Sequence, residues 1–114
     1  MTAGRYTIIC EAGANLTRQL VWKDGNGALV NLTGYTAKVQ VKEEAGGTLL
    51  LELSTVNGRI TLGGVLGTIN LSVDAEDTRI TPGRYQYALE MTNAGGVVTR
   101  LVEGAFVVMA EVTT

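Results

Sequence analysis

The side chains that most often perform catalysis are scarce in this sequence. There is no histidine in the 114 residues, and Cys10 is the only cysteine. Without histidine neither a Ser-His-Asp nor a Cys-His nucleophile can be assembled, and most catalytic zinc sites lose their ligands. Cys10 ends the apolar run that begins at Tyr6, which predicts a buried, inert thiol rather than a reactive one. The sequence therefore indicates a protein that is not an enzyme.

Clustered carboxylates offer one other chemistry, a calcium site built from oxygen ligands. Asp74, Glu76 and Asp77 lie close together, but they lack the ligand spacing and the closing Gly-x-x-x-x-x-Glu of a calcium loop. We predict instead that Asp74 caps a short helical turn within residues 74–80, with the two following acids at its positive end. The pair Glu43-Glu44 fits a solvated hairpin tip. No metal site is predicted.

Glycine pairs at Gly63-Gly64 and Gly95-Gly96 suggest phosphate-binding loops at first sight. Neither pair leads into Gly-Lys-Ser/Thr, and neither opens a helix whose amino end would hold an anion. Both pairs are better explained as hairpin turns, so we expect no cofactor.

The composition excludes several classes of partner. Charged residues make up 18% of the chain and the net charge is −2, with no basic cluster that would follow a phosphate backbone. The longest apolar run, Ala105–Ala110, is far shorter than the ~20 residues that span a bilayer. Residues 1–20 contain no apolar core of a secretory signal. We therefore expect a protein made in a cytoplasm, with no direct nucleic-acid partner and no membrane partner.

A strand within residues 32–42 is the strongest structural signal. Apolar residues alternate with polar ones from Tyr35 to Lys42, which predicts a strand with one buried and one solvated face. Further strands are predicted over 5–10, 15–23, 48–54, 59–63, 68–74, 84–92 and 97–112. Asp24–Gly27 and Asn57-Gly58 are tight-turn signals. Trp22 is expected to anchor the core between two sheets, and Gly104 is expected to mark a bulge or bend.

Short strands separated by glycine and asparagine turns predict one all-β domain over residues 1–114. The expected architecture is an antiparallel β-sandwich of seven to nine strands with one short helical turn.

A set of strand and turn motifs lies along the chain, at Asp24-Gly25, 31–41, 67–73, 82–90, 96–101, Glu103-Gly104 and 111–113. Together these stretches resemble the immunoglobulin-like β-sandwich domain of tailed-phage virion proteins, including the amino-terminal domain of baseplate upper proteins. In baseplate upper proteins further modules follow this domain and carry the receptor-binding tip, whereas this sequence ends at Thr114. The resemblance therefore implies an immunoglobulin-like fold in a free-standing virion structural protein made in the bacterial host cytoplasm.

Two functions of different class follow from these observations. In the first, the protein is a capsid decoration or cement protein, or a small tail or baseplate component, that contacts copies of itself and other virion proteins such as the major capsid protein. In the second, it is a glycan- or small-molecule-binding module, which would need exposed aromatic side chains. For the first function, the chain ends, which carry few charges, predict partner contacts at Arg5, Tyr6, Val107, Val108 and Met109, by strand addition at an open edge or by face packing.

Overall fold

Nine β-strands make up most of the computed structural model, which describes residues 4–44 and 46–110. The strands are β1 (Gly4–Arg5), β2 (Ile8–Glu11), β3 (Leu16–Val21), β4 (Thr36–Lys42), β5 (Leu49–Ser54), β6 (Ile60–Leu62), β7 (Thr68–Val73), β8 (Gly83–Thr92) and β9 (Val98–Met109). The predicted short helical turn within residues 74–80 is present as the 3-10 turn Ala75–Thr78, and a second 3-10 turn, Gly64–Leu66, was not predicted.

The strands form two sheets. The larger has the order β1-β9-β8-β4-β5, with β2 also paired to β9, and the smaller has the order β3-β7-β6. Buried side chains from both sheets form one core. Immunoglobulin domains place their second, fifth and fourth strands in one sheet and their seventh, sixth and third strands in the other. In this chain β3, β7 and β6 form the first of these groups, and β9, β8 and β4 form the second. The chain is an immunoglobulin-like β-sandwich, as predicted.

Strand β4 lies inside the larger sheet, between β8 and β5, in the predicted register. Ala37, Val39 and Val41 are buried, whereas Thr36 and Lys38 are exposed. Because side chains alternate between the two faces of a strand, the alternation in the sequence decides which residues reach the core.

The amino-terminal strand differs from the prediction. Residues 5–10 form two short strands, β1 and β2, and both run parallel to β9 instead of antiparallel. At the predicted bulge, Gly104, β9 continues without a break and pairs with Tyr87. The register shift lies nearby, between the pairs Leu89–Val102 and Glu90–Arg100. Gly104 is needed for another reason, because a Cβ there would lie 2.5 Å from the carbonyl oxygen of Tyr6.

Tyr85 fixes the corner before β8. Its hydroxyl donates a hydrogen bond to the carbonyl oxygen of Thr81, four residues upstream. Immunoglobulin domains place a tyrosine at this corner, two residues before a cysteine of the inter-sheet disulfide. Here the second position is Tyr87, whose ring is buried and meets Phe106 edge-on at 6.5 Å between ring centroids. This pair joins β8 to β9 within the larger sheet, so it does not take the place of the disulfide that joins the two sheets of antibody domains.

The cap of the second 3-10 turn also differs from the prediction. Asp74 is the N-cap residue, but its side chain makes no capping hydrogen bond. The carboxamide oxygen of Asn15 accepts the hydrogen bond of the Ala75 amide at 2.7 Å instead. Asp77 forms an ion pair with Arg59 at 2.9 Å. This acidic segment is therefore held by contacts from neighbouring elements.

Candidate functional site

The five predicted contact residues divide into two groups along β9. Arg5 and Tyr6 are exposed beside Glu103, and the Tyr6 carbonyl oxygen accepts a hydrogen bond from the buried Tyr87 hydroxyl at 2.5 Å. Val107 and Met109 point outward near the other end of the strand, where Val107 is half-buried and Met109 is 50% exposed. Arg5 lies opposite Glu103, four residues before Val107 along β9, so the two groups are separated along the larger sheet.

The prediction for Val108 is wrong. Its side chain is 2% exposed and belongs to the core. The expected open edge is also closed, because β9 pairs with β8 on one side and with β1 and β2 on the other. A strand with neighbours on both sides has no free backbone groups to offer a partner. A lysine at Val108 would place a charge in the core and unfold the domain rather than test a contact.

The predicted inert thiol is confirmed as buried. Cys10 is fully enclosed, and burial raises the pKa of its thiol, with a smaller opposite effect from the Arg18 charge. A raised pKa leaves little of the nucleophilic thiolate at neutral pH. Within residues 4–44 and 46–110, no three cysteine or acidic side chains come close enough together to hold a metal ion.

The outer face of the larger sheet contains an open depression of about 590 Å³. Charges of both signs line it, and two pairs cross between strands: Lys38 with Glu52 at 3.9 Å and Arg100 with Glu90 at 3.4 Å. Ligand pockets are mostly apolar, with a few convergent polar groups. This depression is open, and its positive and negative side chains are partly paired with each other. It therefore does not favour binding of a small anion or of a small cation.

A second surface is formed where loops meet at one end of the sandwich. The loop between β3 and β4 contacts the turn between β6 and β7, since the Leu32 amide donates to the Gly64 carbonyl oxygen at 2.8 Å. The same loop approaches the β8–β9 turn, where a Cβ at Gly34 would lie 3.5 Å from the Ala94 Cβ. The β5–β6 turn joins them, because Val56 lines a depression together with Val98. We call these four segments, 22–35, 55–58, 63–67 and 93–98, the loop-end surface.

The loop-end surface exposes several large apolar side chains and carries little charge. Six of its large aliphatic side chains are between 47% and 91% exposed: Leu29, Val56, Val65, Leu66, Val97 and Val98. Its only charged residues are Lys23 and Asp24, which are adjacent in sequence and opposite in sign. Apolar side chains gathered in this way are typical of a surface that a partner covers.

The other end of the sandwich has the opposite character. Its connecting segments, 11–15, 43–47 and 74–82, carry six acidic residues and one arginine. Thr78 is buried there and holds the end together, since its hydroxyl donates to the Ala14 carbonyl oxygen at 2.8 Å and accepts from the Gly13 amide at 3.1 Å. The molecule thus has an apolar end and an acidic end.

The sequence-based prediction missed the loop-end surface because its parts are separated along the chain. A signal was available once the strand order was known: segments that connect strands at one end contain almost no charge, whereas those at the other end contain many. Trp22, the expected core anchor, lies at this end. It is partly buried against the core and meets Tyr35 edge-on at 5.8 Å between ring centroids.

Comparisons with known proteins give structural similarities only. No protein-family model matches the chain, and no curated protein matches it by sequence. Murine CRIg shares 12% identity at a TM-score of 0.44, with 92% of each chain covered. The extracellular domain of the voltage-gated sodium channel beta4 subunit shares 15% identity at 0.44, covering 98% of this chain and 97% of that one. Drosophila OTK extracellular domains 3–5 share 16% identity at 0.38, covering 90% of this chain and 32% of that one.

All three TM-scores lie below 0.5, so these similarities carry no functional argument. Over the described part of the chain, none of the helical segments has the length and apolar character needed to cross a membrane.

Proposed function

We propose that this chain is a non-enzymatic structural protein of a tailed-phage particle, acting through protein–protein contacts as a capsid decoration or cement protein or as a small tail or baseplate component. The resemblance of its strand and turn motifs to phage virion domains suggests the setting. The main support for a role in protein–protein interaction is the loop-end surface. It exposes six aliphatic side chains and has only two charged residues, which are opposite in sign.

The difference in charge between the two ends suggests how the protein would be oriented on a particle. Burying an exposed valine or leucine against a partner contributes roughly 1.5–3 kcal/mol for a full side chain, whereas burying an unpaired carboxylate is costly. The loop-end surface would therefore face the particle, and the acidic end would face solvent. This orientation places the contact away from Arg5, Tyr6 and Met109, which the sequence analysis favoured.

The proposed contact is tested by adding purified protein to particles that lack it and measuring copies bound per particle. The test variant combines Val56→Lys with Val65→Lys, two side chains that are 91% and 66% exposed and should not be needed for folding. We expect loading to fall at least tenfold, since each lysine would have to be buried in an apolar contact. Met109→Lys, at a position that is 50% exposed near the other end, serves as the matched control and should load normally.

Each other result has a definite meaning for the proposal. Normal loading of the loop-end variant would refute the loop-end contact, and a selective loss with Met109→Lys would restore the contact predicted from the sequence. Failure of the parent protein to bind heads, tails or baseplates would contradict the virion role. Separating heads from tails before the binding step shows which part of the particle it contacts.

The glycan-binding alternative gains no specific support. Sugar sites need exposed aromatic rings. Among the described residues, Tyr6 is the only aromatic residue that is largely exposed, with 41% of its surface accessible to solvent. Trp22, Tyr35 and Tyr85 are partly buried, and Tyr87 and Phe106 lie in the core.

A further inference from the structure

We propose that two copies of this chain associate by antiparallel pairing of their β3 strands, which joins the two small sheets into one six-stranded sheet. This contact gives a structural form to the self-association that the sequence analysis predicts, and it goes beyond the particle contact of the proposed function. It uses a surface other than the loop-end surface, so it can be tested on the isolated protein without particles.

Strand β3 is the edge of the smaller sheet and pairs only with β7. The Trp22 amide donates to the Gly67 carbonyl oxygen, which continues the β3–β7 ladder beyond Val21. Because bonding alternates along an antiparallel strand, the backbone groups of Thr17, Gln19 and Val21 point away from β7. An edge with such unpaired groups is a template for another strand.

The other long edges are closed by side chains. On β5, the Glu52 carbonyl oxygen accepts hydrogen bonds from Asn57 Nδ2 at 3.0 Å and Arg59 Nη1 at 2.9 Å. On β2, the Ile9 carbonyl oxygen accepts one from Arg18 Nη2 at 2.6 Å. The remaining edges are shorter: β1 and β6 are two and three residues long, and only residues 98–101 of β9 extend beyond its pairing with β1. Among the described edge strands, β3 combines a length of six residues with a side-chain hydrogen bond at one outward carbonyl oxygen, that of Thr17, whereas β5 has two at Glu52 and one at the Ser54 amide.

Pairing of β3 with β3 of a second copy is compatible with twofold symmetry and with the charges along the strand. Antiparallel pairing about a twofold axis at Gln19 sets Gln19 against Gln19 of the partner subunit, and Thr17 against Val21 of the partner subunit. None of these three exposed side chains is charged, so the pairing opposes no like charges. The Thr17 carbonyl oxygen already accepts from Arg18 Nη1 at 2.7 Å, but a carbonyl has a second lone pair.

The symmetry makes a charge-reversal test possible, because position 19 faces its own copy. Gln19→Lys would set two lysines directly opposite each other, and Gln19→Glu two glutamates, so each variant alone should stay monomeric. An equimolar mixture should form a heterodimer, since opposite charges then meet across the pair. The parent chain should dimerise. Sedimentation velocity measured up to about 1 mM detects even complexes with a Kd in the millimolar range.

Asn70→Lys provides the matched control. Asn70 pairs with Gln19 across the β3–β7 ladder but belongs to the inner strand, so the same added charge there should leave the dimer intact. Thermal melts of all variants should agree with the parent, because Gln19 is exposed. A parent chain that remains monomeric at about 1 mM would overturn the inference. So would a Gln19→Lys dimer as tight as the parent dimer, or a mixture of the two variants that stays monomeric.

A failed dimer with normal particle loading would leave the proposed function standing. A normal dimer with failed loading would refute the particle contact alone.

Discussion

The guanidinium of Arg18 joins the two sheets at one open side of the sandwich, with Nη2 lying 2.6 Å from the carbonyl oxygen of Ile9 on β2. Arg59 makes the equivalent contact at the opposite side, with Nη1 lying 2.9 Å from the carbonyl oxygen of Glu52 on β5. In both cases an arginine from the smaller sheet or the turn leading into it satisfies a free-edge carbonyl of the larger sheet. The two arginine side chains therefore connect the two sheets at the free edges of β2 and β5, where the backbone hydrogen bonding of the larger sheet ends.

We predict that Arg18→Ala lowers the free energy of unfolding by about 1.5–3 kcal/mol, the range for hydrogen bonds with a charged partner. The carbonyl oxygens of Ile9 and Thr17 would lose this donor. Urea denaturation measures the loss. Arg59→Ala should have an effect that adds to it, because the two arginines lie at opposite sides and share no partner. Arg84→Ala, at an exposed position of β8, is the control and should change little.

A second prediction concerns the register of β4. Val39→Asp should prevent folding, because Val39 is 1% exposed and an unpaired carboxylate in the core costs several kcal/mol against a stability of about 5–15 kcal/mol. The neighbouring Lys38→Gln should melt close to the parent temperature. Glutamine is a cleaner control than aspartate there, because Lys38 lies 3.9 Å from Glu52. Similar melting curves for the two variants would show that the register is wrong.

Gly104→Ala should destabilise the protein by about 1–3 kcal/mol, as expected for an overpacked site. The added Cβ would lie 2.5 Å from the Tyr6 carbonyl oxygen, and backbone rather than a flexible side chain would have to move. The control is Gly25→Ala, where a Cβ would meet nothing within 4 Å. Equal thermal stability of the two variants would show that Tyr6 does not approach β9 closely.

The fourth prediction is a loss of stability at high pH. Burial, with a smaller contribution from Tyr6, raises the pKa of Tyr87 to about 12 from 10.0. The folded state therefore keeps a proton that the unfolded state loses, and stability falls as the pH rises from about 10 to about 12. Tyr87→Phe should be less stable than the parent at neutral pH, because it loses the hydrogen bond to Tyr6, and should show less further loss over that window.

Thermal melts at several pH values compare Tyr87→Phe with the parent, and Tyr35→Phe serves as the control because Tyr35 packs against Trp22 at the loop end of the sandwich. Parallel pH profiles for the parent and Tyr87→Phe would contradict the buried phenol.

The parts of the fold that the sequence predicts well are those where one strand carries its own pattern. In β4 and β7, buried and exposed residues alternate over the whole strand, and a shift by one residue would bury polar side chains. The parallel pairing of β2 with β9 has no such local pattern, because a partner nearly a chain length away decides it. Val108 was misassigned for the same reason: its burial depends on which neighbours β9 acquires.

The candidate surfaces depend even more on tertiary structure. The loop-end surface combines four segments whose adjacency follows only from the sheet order. The closed edges depend on single side-chain contacts, such as that of Arg18, which lies on the inward face with Leu16 and Leu20 and gives no sign in the sequence of reaching a backbone carbonyl.

The pairing of β2 with β9 also constrains how the chain folds. Residues 8–11 find their partners at 106–109, so β2 and β9 can dock only after residues 106–109 have been synthesised. Contacts between distant residues carry a large loop-closure cost and slow the search for the native state. During synthesis, β1 and β2 cannot pair with β9 until β9 has left the ribosome. The final closure of the sandwich is thus a late event, and it completes the larger sheet only after translation has passed residue 109.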